Sequence, residues 1–257
     1  SVKTCWCSEV ESILVVKQNI SQYNSVFQGF IDYLKESGKI PRIIQLNIDD
    51  RSELARIQSR LQEFNFIIAI GSDATKISVE KFGNIPMILS MILNPEKEIT
   101  AENLADKRII ACVSAYASPN FYFENLKKLG LSDGKIGFIY TREIYNGYIN
   151  EIKSRATANN IRLEYEQIST KESFIRNFNR LIDKKITGYL ILPDFNIYNN
   201  DSIKYLLMTA LRSKVYCIGP SSAFVKSGAL WGADISPYGI GRETGAILKK
   251  YINNEQL

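Results

Sequence analysis

Short apolar runs recur along this chain, each only a few residues long and each separated from the next by a stretch with helical periodicity. The first set is Ile13 to Val16, Ile43 to Leu46, Phe66 to Ile70, Met87 to Leu89 and Ile109 to Val113; the second is Ile136 to Tyr140, Ile161 to Tyr165, Tyr189 to Leu192, Val215 to Ile218 and Ala229 to Trp231. Most of these runs are apolar throughout instead of alternating, which is what strands covered on both faces require. Between them, Val26, Phe27, Phe30, Ile31 and Leu34 share one side of a helix that Gly38 can end, and Ile203, Leu206, Leu207, Ala210 and Leu211 repeat the pattern. Thr244, Ile247, Leu248, Tyr251 and Ile252 form a third such face. Alternation of this kind predicts an α/β architecture with parallel sheets flanked by helices.

The arrangement occurs twice. Leu14-Val15-Val16 leads through a polar loop to Tyr23-Asn24 and a helix, and Ile136-Gly137-Phe138 leads through another to Tyr145-Asn146 and a helix, an offset of 122 residues. The same offset carries Ile70-Gly71-Ser72 onto Leu192-Pro193-Asp194, again the end of an apolar strand. Three matching strand ends predict two Rossmann-like lobes of like topology. The expected division is residues 1–113 plus 235–257 in one lobe and 114–234 in the other, with hinge crossings near Val113 to Tyr116 and Gly232 to Ser236. In open α/β sheets ligands sit beyond the carboxyl ends of the strands, so the expected site is a cleft between the lobes.

Composition narrows the chemistry. The chain of 257 residues contains no His, which removes Ser-His-Asp and Cys-His nucleophile chemistry and most zinc and iron sites. Its net charge of +5 comes from scattered Lys and Arg, which argues against nucleic acid as a partner. Of the four cysteines, Cys112 and Cys217 lie inside apolar runs and read as core residues, while Cys5-Trp6-Cys7 has the wrong spacing for a metal or redox pair. No metal or cofactor is expected. The longest apolar stretch, Ile85 to Leu93, is too short to span a bilayer, and no leader of the secretory kind is visible.

The junction Ala69-Ile70-Gly71-Ser72-Asp73-Ala74 has the form of a strand running into a helix, where first-turn N–H groups and a hydroxyl can meet an anion. Ser72, with the N–H groups of Asp73 and Ala74, either holds a ligand carboxylate or simply caps its helix. Ser221 and Ser222, after Gly219-Pro220, pose the same choice. Gly239, Gly241 and Gly245 lack the spacing of a dinucleotide loop.

In order along the chain, these junctions resemble the ABC-transporter substrate-binding proteins of the tryptophan/tyrosine-binding type, which have the type I periplasmic binding protein fold. The matched elements are Ile70-Gly71-Ser72-Asp73-Ala74, then Ile85-Pro86-Met87 leading to Asn94-Pro95, Tyr140 to Asn146, Leu192-Pro193-Asp194, and Phe224 to Leu230 continuing to Tyr238 to Ala246. They span Ile13 to Ile252, with Asn94 standing where the family usually has Asp. The resemblance implies that Gly239, Gly241 and Gly245 belong to a tightly packed helix.

The resemblance implies a protein that binds a small polar solute, an amino acid or similar zwitterion with aromatic ones included, and catalyses nothing. It implies Asp194 as the acceptor for a ligand ammonium, against the alternative of an Asx-turn or helix cap, and Asn146 as a helix-starting residue that bonds the ligand or caps its own helix. Tyr145 and Phe195 adjoin these matched positions and are the first candidates for aromatic walls; Tyr23, Tyr116 and Tyr238 are further ones, with ordinary packing as the alternative. Asp234, in a loop that follows a strand, completes the expected ligand-binding set.

The partner so implied is the membrane permease of an ABC transporter, the place periplasmic or extracellular with or without a lipid anchor, and the binding protein a monomer. A ligand-sensing domain of a membrane receptor, with a signalling domain as partner, has the same fold and ligand chemistry. A two-lobed glycosyltransferase-like enzyme, with Asp or Glu as base, is a third reading.

Overall fold

A computed structural model describes residues 10–38, 40–82, 85–93, 108–192, 194 and 197–256, without the side chains of residues 142–146. In chain order the elements are β1 (Ser12–Lys17), α1 (Ser21–Glu36), β2 (Arg42–Asn47), α2 (Arg51–Gln58), β3 (Phe66–Ile70), α3 (Ser72–Lys81), β4 (Met87–Ile92) and β5 (Ile109–Ser114). There follow α4 (Pro119–Lys128), β6 (Lys135–Thr141), α5 (Arg142–Ala158), β7 (Arg162–Ile168), α6 (Phe174–Asp183), β8 (Gly188–Leu190) and α7 (Asn200–Arg212). The last are β9 (Tyr216–Gly219), α8 (Ser222–Lys226), β10 (Trp231–Gly232) and α9 (Pro237–Ile252).

Contacts divide the chain into two units, one of Ser1–Ala115 with Ser236–Leu257 and the other of Tyr116–Ile235. The sheet of the first runs β2-β1-β3-β4-β5 and that of the second β7-β6-β8-β9-β10, so the two have the same strand order. Every pairing is parallel. The chain is therefore α/β with two parallel sheets, each flanked by helices.

Each sheet carries buried residues on both of its faces. In the first unit, Leu14, Val16, Leu46, Ile67, Ala69 and Leu89 form a core with Ile57 of α2 and Ala74 of α3. The alternate β1 residues Ile13 and Val15 are also fully buried, and Phe66 of β3 packs its ring 5.3 Å from that of Tyr251 of α9. In the second unit, Ile136, Phe138, Leu190 and Ile218 pack with Tyr122 and Phe123 of α4 and Ile152 of α5. Ile139, Tyr189, Ile191 and Cys217 face Phe174, Phe178, Leu206 and Ala210 of α6 and α7. Each buried Leu, Ile or Phe contributes about 1.5–3 kcal/mol of transfer free energy.

The first unit depends on α9, which returns to lie against α1. The backbones come so close that a Cβ on Gly29 would overlap the Tyr238 carbonyl, and one on Gly241 would overlap that of Val26. Gly245 of α9 lies against the Tyr33 ring. These contacts bear out the packing reading for Gly241 and Gly245, whereas a Cβ on Gly239 would meet only Ser236, at an ordinary 3.6 Å. A buried hydrogen bond of 2.7 Å between Ser90 of β4 and Thr244 of α9 fixes the helix to the sheet.

Four details differ from the sequence expectation. Strand β7 runs to Ile168 instead of ending at Tyr165; its residues are a mixture of exposed and partly buried ones up to the buried Ile168, so no apolar run marks its length. The last strand is Trp231–Gly232, since Ala229 belongs to the turn closing α8, where its N–H donates to the Phe224 carbonyl at 2.9 Å. Cys217 is buried as expected and its thiol is pushed up to about 12 by burial, whereas Cys112 on β5 is only partly buried. Tyr145 and Asn146 lie inside the first turns of α5, which begins at Arg142, so Asn146 does not start the helix.

Candidate functional site

In the first unit the carboxyl edge of the sheet is formed by the ends of β1 to β5. At the end of β3, Gly71 takes φ +87°, a left-handed conformation that favours glycine, and serves as N-cap of α3. Its N–H donates to the Ser90 carbonyl at 2.9 Å. Ser72 is the first residue of the helix instead of its cap, is partly exposed, and makes no side-chain capping bond. The N–H groups of Ser72, Asp73 and Ala74 belong to a first turn, where a helix offers them no internal acceptor. Asp73 is exposed. Tyr23 of α1 lays its phenol against Gly71, where it would overlap any Cβ added there, so the expected aromatic residue does stand beside the expected anion site.

Sequence reasoning missed a second group at this edge. Lys17 ends β1, one residue beyond Val16, which pairs with Ala69 of β3. It is 5% exposed, its ammonium donates to the Asn24 side-chain oxygen at 2.5 Å, and it lies 5.9 Å from the centre of the Phe27 ring. The Asn24 amide donates in turn to Asn19 at 2.9 Å, which orients its oxygen toward the lysine. Burial lowers the Lys17 pKa from its ordinary value. The only signal in the sequence was a polar residue ending an apolar run.

In the second unit, Asp194 lies beyond β8 and is 2% exposed. Thr141, the last residue of β6, donates its hydroxyl to the Asp194 carboxylate at 2.9 Å and makes no capping bond to α5, the helix it precedes. The main-chain carbonyl of Asp194 accepts from the N–H groups of Ile197 at 3.2 Å and Tyr198 at 3.0 Å. The carboxylate is thus tied to the end of another strand. Below it, the buried phenols of Tyr189 and Tyr198 share a hydrogen bond of 2.9 Å, and burial raises the pKa of both.

The remaining candidates divide. Tyr116 is partly buried against Tyr148, with ring centres 5.4 Å apart, and Tyr148 donates to the Ala117 carbonyl at 2.7 Å. Ser221 is the N-cap of α8 by position without a side-chain capping bond, Ser222 is exposed, and α8 is only 5 residues long. Asp234 is exposed after β10. Tyr238 belongs to helix packing, its hydroxyl donating to Asp32 of α1 at 3.2 Å. The side chains of Tyr145 and Asn146, and the residues Asn94 and Phe195, lie outside the described residues, as do Cys5 and Cys7.

Among the described residues no cluster of Cys, Asp and Glu could hold a metal ion, and no helix is long and apolar enough to cross a membrane.

Solved structures with the same fold include a ligand-free, open substrate binding protein with adhesive properties from Clostridium difficile, 18% identical, with TM-score 0.67 over 96% of this chain and 86% of that one. The ABC domain from Streptococcus pneumoniae in complex with L-Trp is also 18% identical, with TM-score 0.52 over 96% of this chain and 85% of that one. A glucose-galactose binding protein from Geobacillus stearothermophilus is 14% identical, with TM-score 0.52 over 97% and 94%. No curated protein matches the sequence. The family described as ABC transporter substrate binding protein matches residues 13–256, nearly the whole chain, and the protein belongs to that family.

Proposed function

We propose that this protein binds an amino acid, aromatic ones included, and presents it to the membrane permease of an ABC transporter from the outer side of the membrane. The observation that carries the amino-acid reading is Asp194: a carboxylate 2% exposed at the carboxyl edge of a parallel sheet, with a threonine hydroxyl holding one of its oxygens. A carboxylate at such an edge can accept a charge-assisted hydrogen bond from a ligand ammonium. The uncapped first turn of α3 at Ser72 has the opposite preference and suits a ligand carboxylate. One of the structurally similar proteins is complexed with L-Trp, which accords with this chemistry. The protein acts by binding alone, as a monomer.

Calorimetry on ligand-free protein with the L-amino acids, glucose and galactose tests the reading. The expected result is saturable binding of at least one amino acid, weakened at least tenfold by Asp194→Asn, roughly the 1.4 kcal/mol that a lost charge-assisted bond exceeds. Binding of a sugar with no response to any amino acid overturns it.

A further inference from the structure

We infer that Lys17 is the residue that makes the first unit's edge specific for an anionic ligand group, a carboxylate in the first instance. The inference rests on the reading above that this edge receives the ligand's acidic end. Lys17 ends β1 beside β3, whose continuation is Gly71 and Ser72, so its chain position and theirs share one edge of one sheet. Removing an ammonium from water is costly unless an opposite charge or a full set of acceptors replaces the water. Lys17 is 5% exposed and bonds the neutral Asn24 side-chain oxygen at 2.5 Å, and among the described residues no carboxylate forms an ion pair with it. Asp49, the carboxylate nearest in sequence on the adjoining loop, accepts from Gln18 at 3.3 Å. One amide oxygen and the face of Phe27 are weak compensation for a buried cation with three donors.

A residue that serves only the fold does not need this charge, because methionine has nearly the same shape and fills such a space without desolvation. A ligand carboxylate, bonded to Ser72 and the first turn of α3, supplies a counter-charge that no described residue is seen to supply. Asn24, held by Asn19, fixes the direction of the ammonium beforehand. The lysine therefore distinguishes an acid from its neutral amide, a distinction that the partial charge of a helix terminus makes only weakly.

The test compares wild type, Lys17→Met and Lys17→Arg. Ligand-free Lys17→Met should unfold at the same temperature as wild type or higher; a clear fall means that Lys17 is structural and overturns the inference. Calorimetry is then run with L-tryptophan and L-tryptophanamide. Wild type should prefer the acid at least tenfold, Lys17→Met should lose that preference, and Lys17→Arg should keep part of it. An equal preference in wild type and Lys17→Met overturns the assignment while leaving the amino-acid reading intact. Should wild type bind neither compound, acetate decides the inference, the amino-acid reading being tested separately by the full set of L-amino acids: a rise in melting temperature present in wild type and absent in Lys17→Met upholds it, and equal responses overturn it.

Discussion

Thr141 shows how much a single side chain sets the character of the second unit's edge. Its hydroxyl is spent on Asp194 instead of on the helix it precedes, so the carboxylate is held in place before any ligand arrives. Thr141→Val keeps the shape and removes the donor, and should destabilise the ligand-free protein by about 1.5–3 kcal/mol, read from denaturant midpoints at unchanged slope. A midpoint equal to wild type would mean that another group holds Asp194. At this scale the sequence was legible as to place: Ser72 after Gly71 and Asp194 beyond a strand both stand where the apolar runs end. The burial of Lys17 was not legible, because hydropathy assigns a lysine to the surface, and only the fold shows that α1 covers it. Thr141 was hidden for the same reason, its partner lying 53 residues away.

Among the elements, the α1 and α9 pair has the closest packing. Gly29 and Gly241 let each backbone reach the other's carbonyls, and Arg242 adds a two-pronged ion pair to Glu36, with bonds of 2.8 and 2.6 Å. Gly241→Ala puts a methyl group where the Val26 carbonyl stands, forcing the helices apart. Thermal or denaturant unfolding should show a loss of about 1–3 kcal/mol, the usual cost of overpacking. A stability equal to wild type would mean that the helices separate freely. The sequence made these elements legible because fully covered strands leave unbroken apolar runs, as in β1, β3 and β6. It was least legible at β7 and β10, where partial cover allows polar residues and the apolar run no longer marks the strand.

At the scale of the molecule, the doubled strand order was readable from the 122-residue echo because each half must pack helices on both faces of a sheet of the same plan. The two units are nonetheless built differently along the chain. Tyr116–Ile235 is continuous and contains its whole sheet with both of its cores, whereas the other unit needs α9 from beyond it. Expressed alone, residues 116–235 should therefore unfold cooperatively with a sharp calorimetric transition. Residues 10–115 without α9 should show none; a sharp transition for this shorter piece would contradict the part given to α9. The same topology imposes an order on synthesis. Asp32 of α1 and Tyr238 of α9 are 206 residues apart, so at 5–20 residues per second the ribosome needs roughly 10 to 40 s to deliver the partner that α1 awaits. During that interval the glycine-bearing side of α1 lacks α9 to close on, and the nascent chain keeps a bare helix face until α9 emerges.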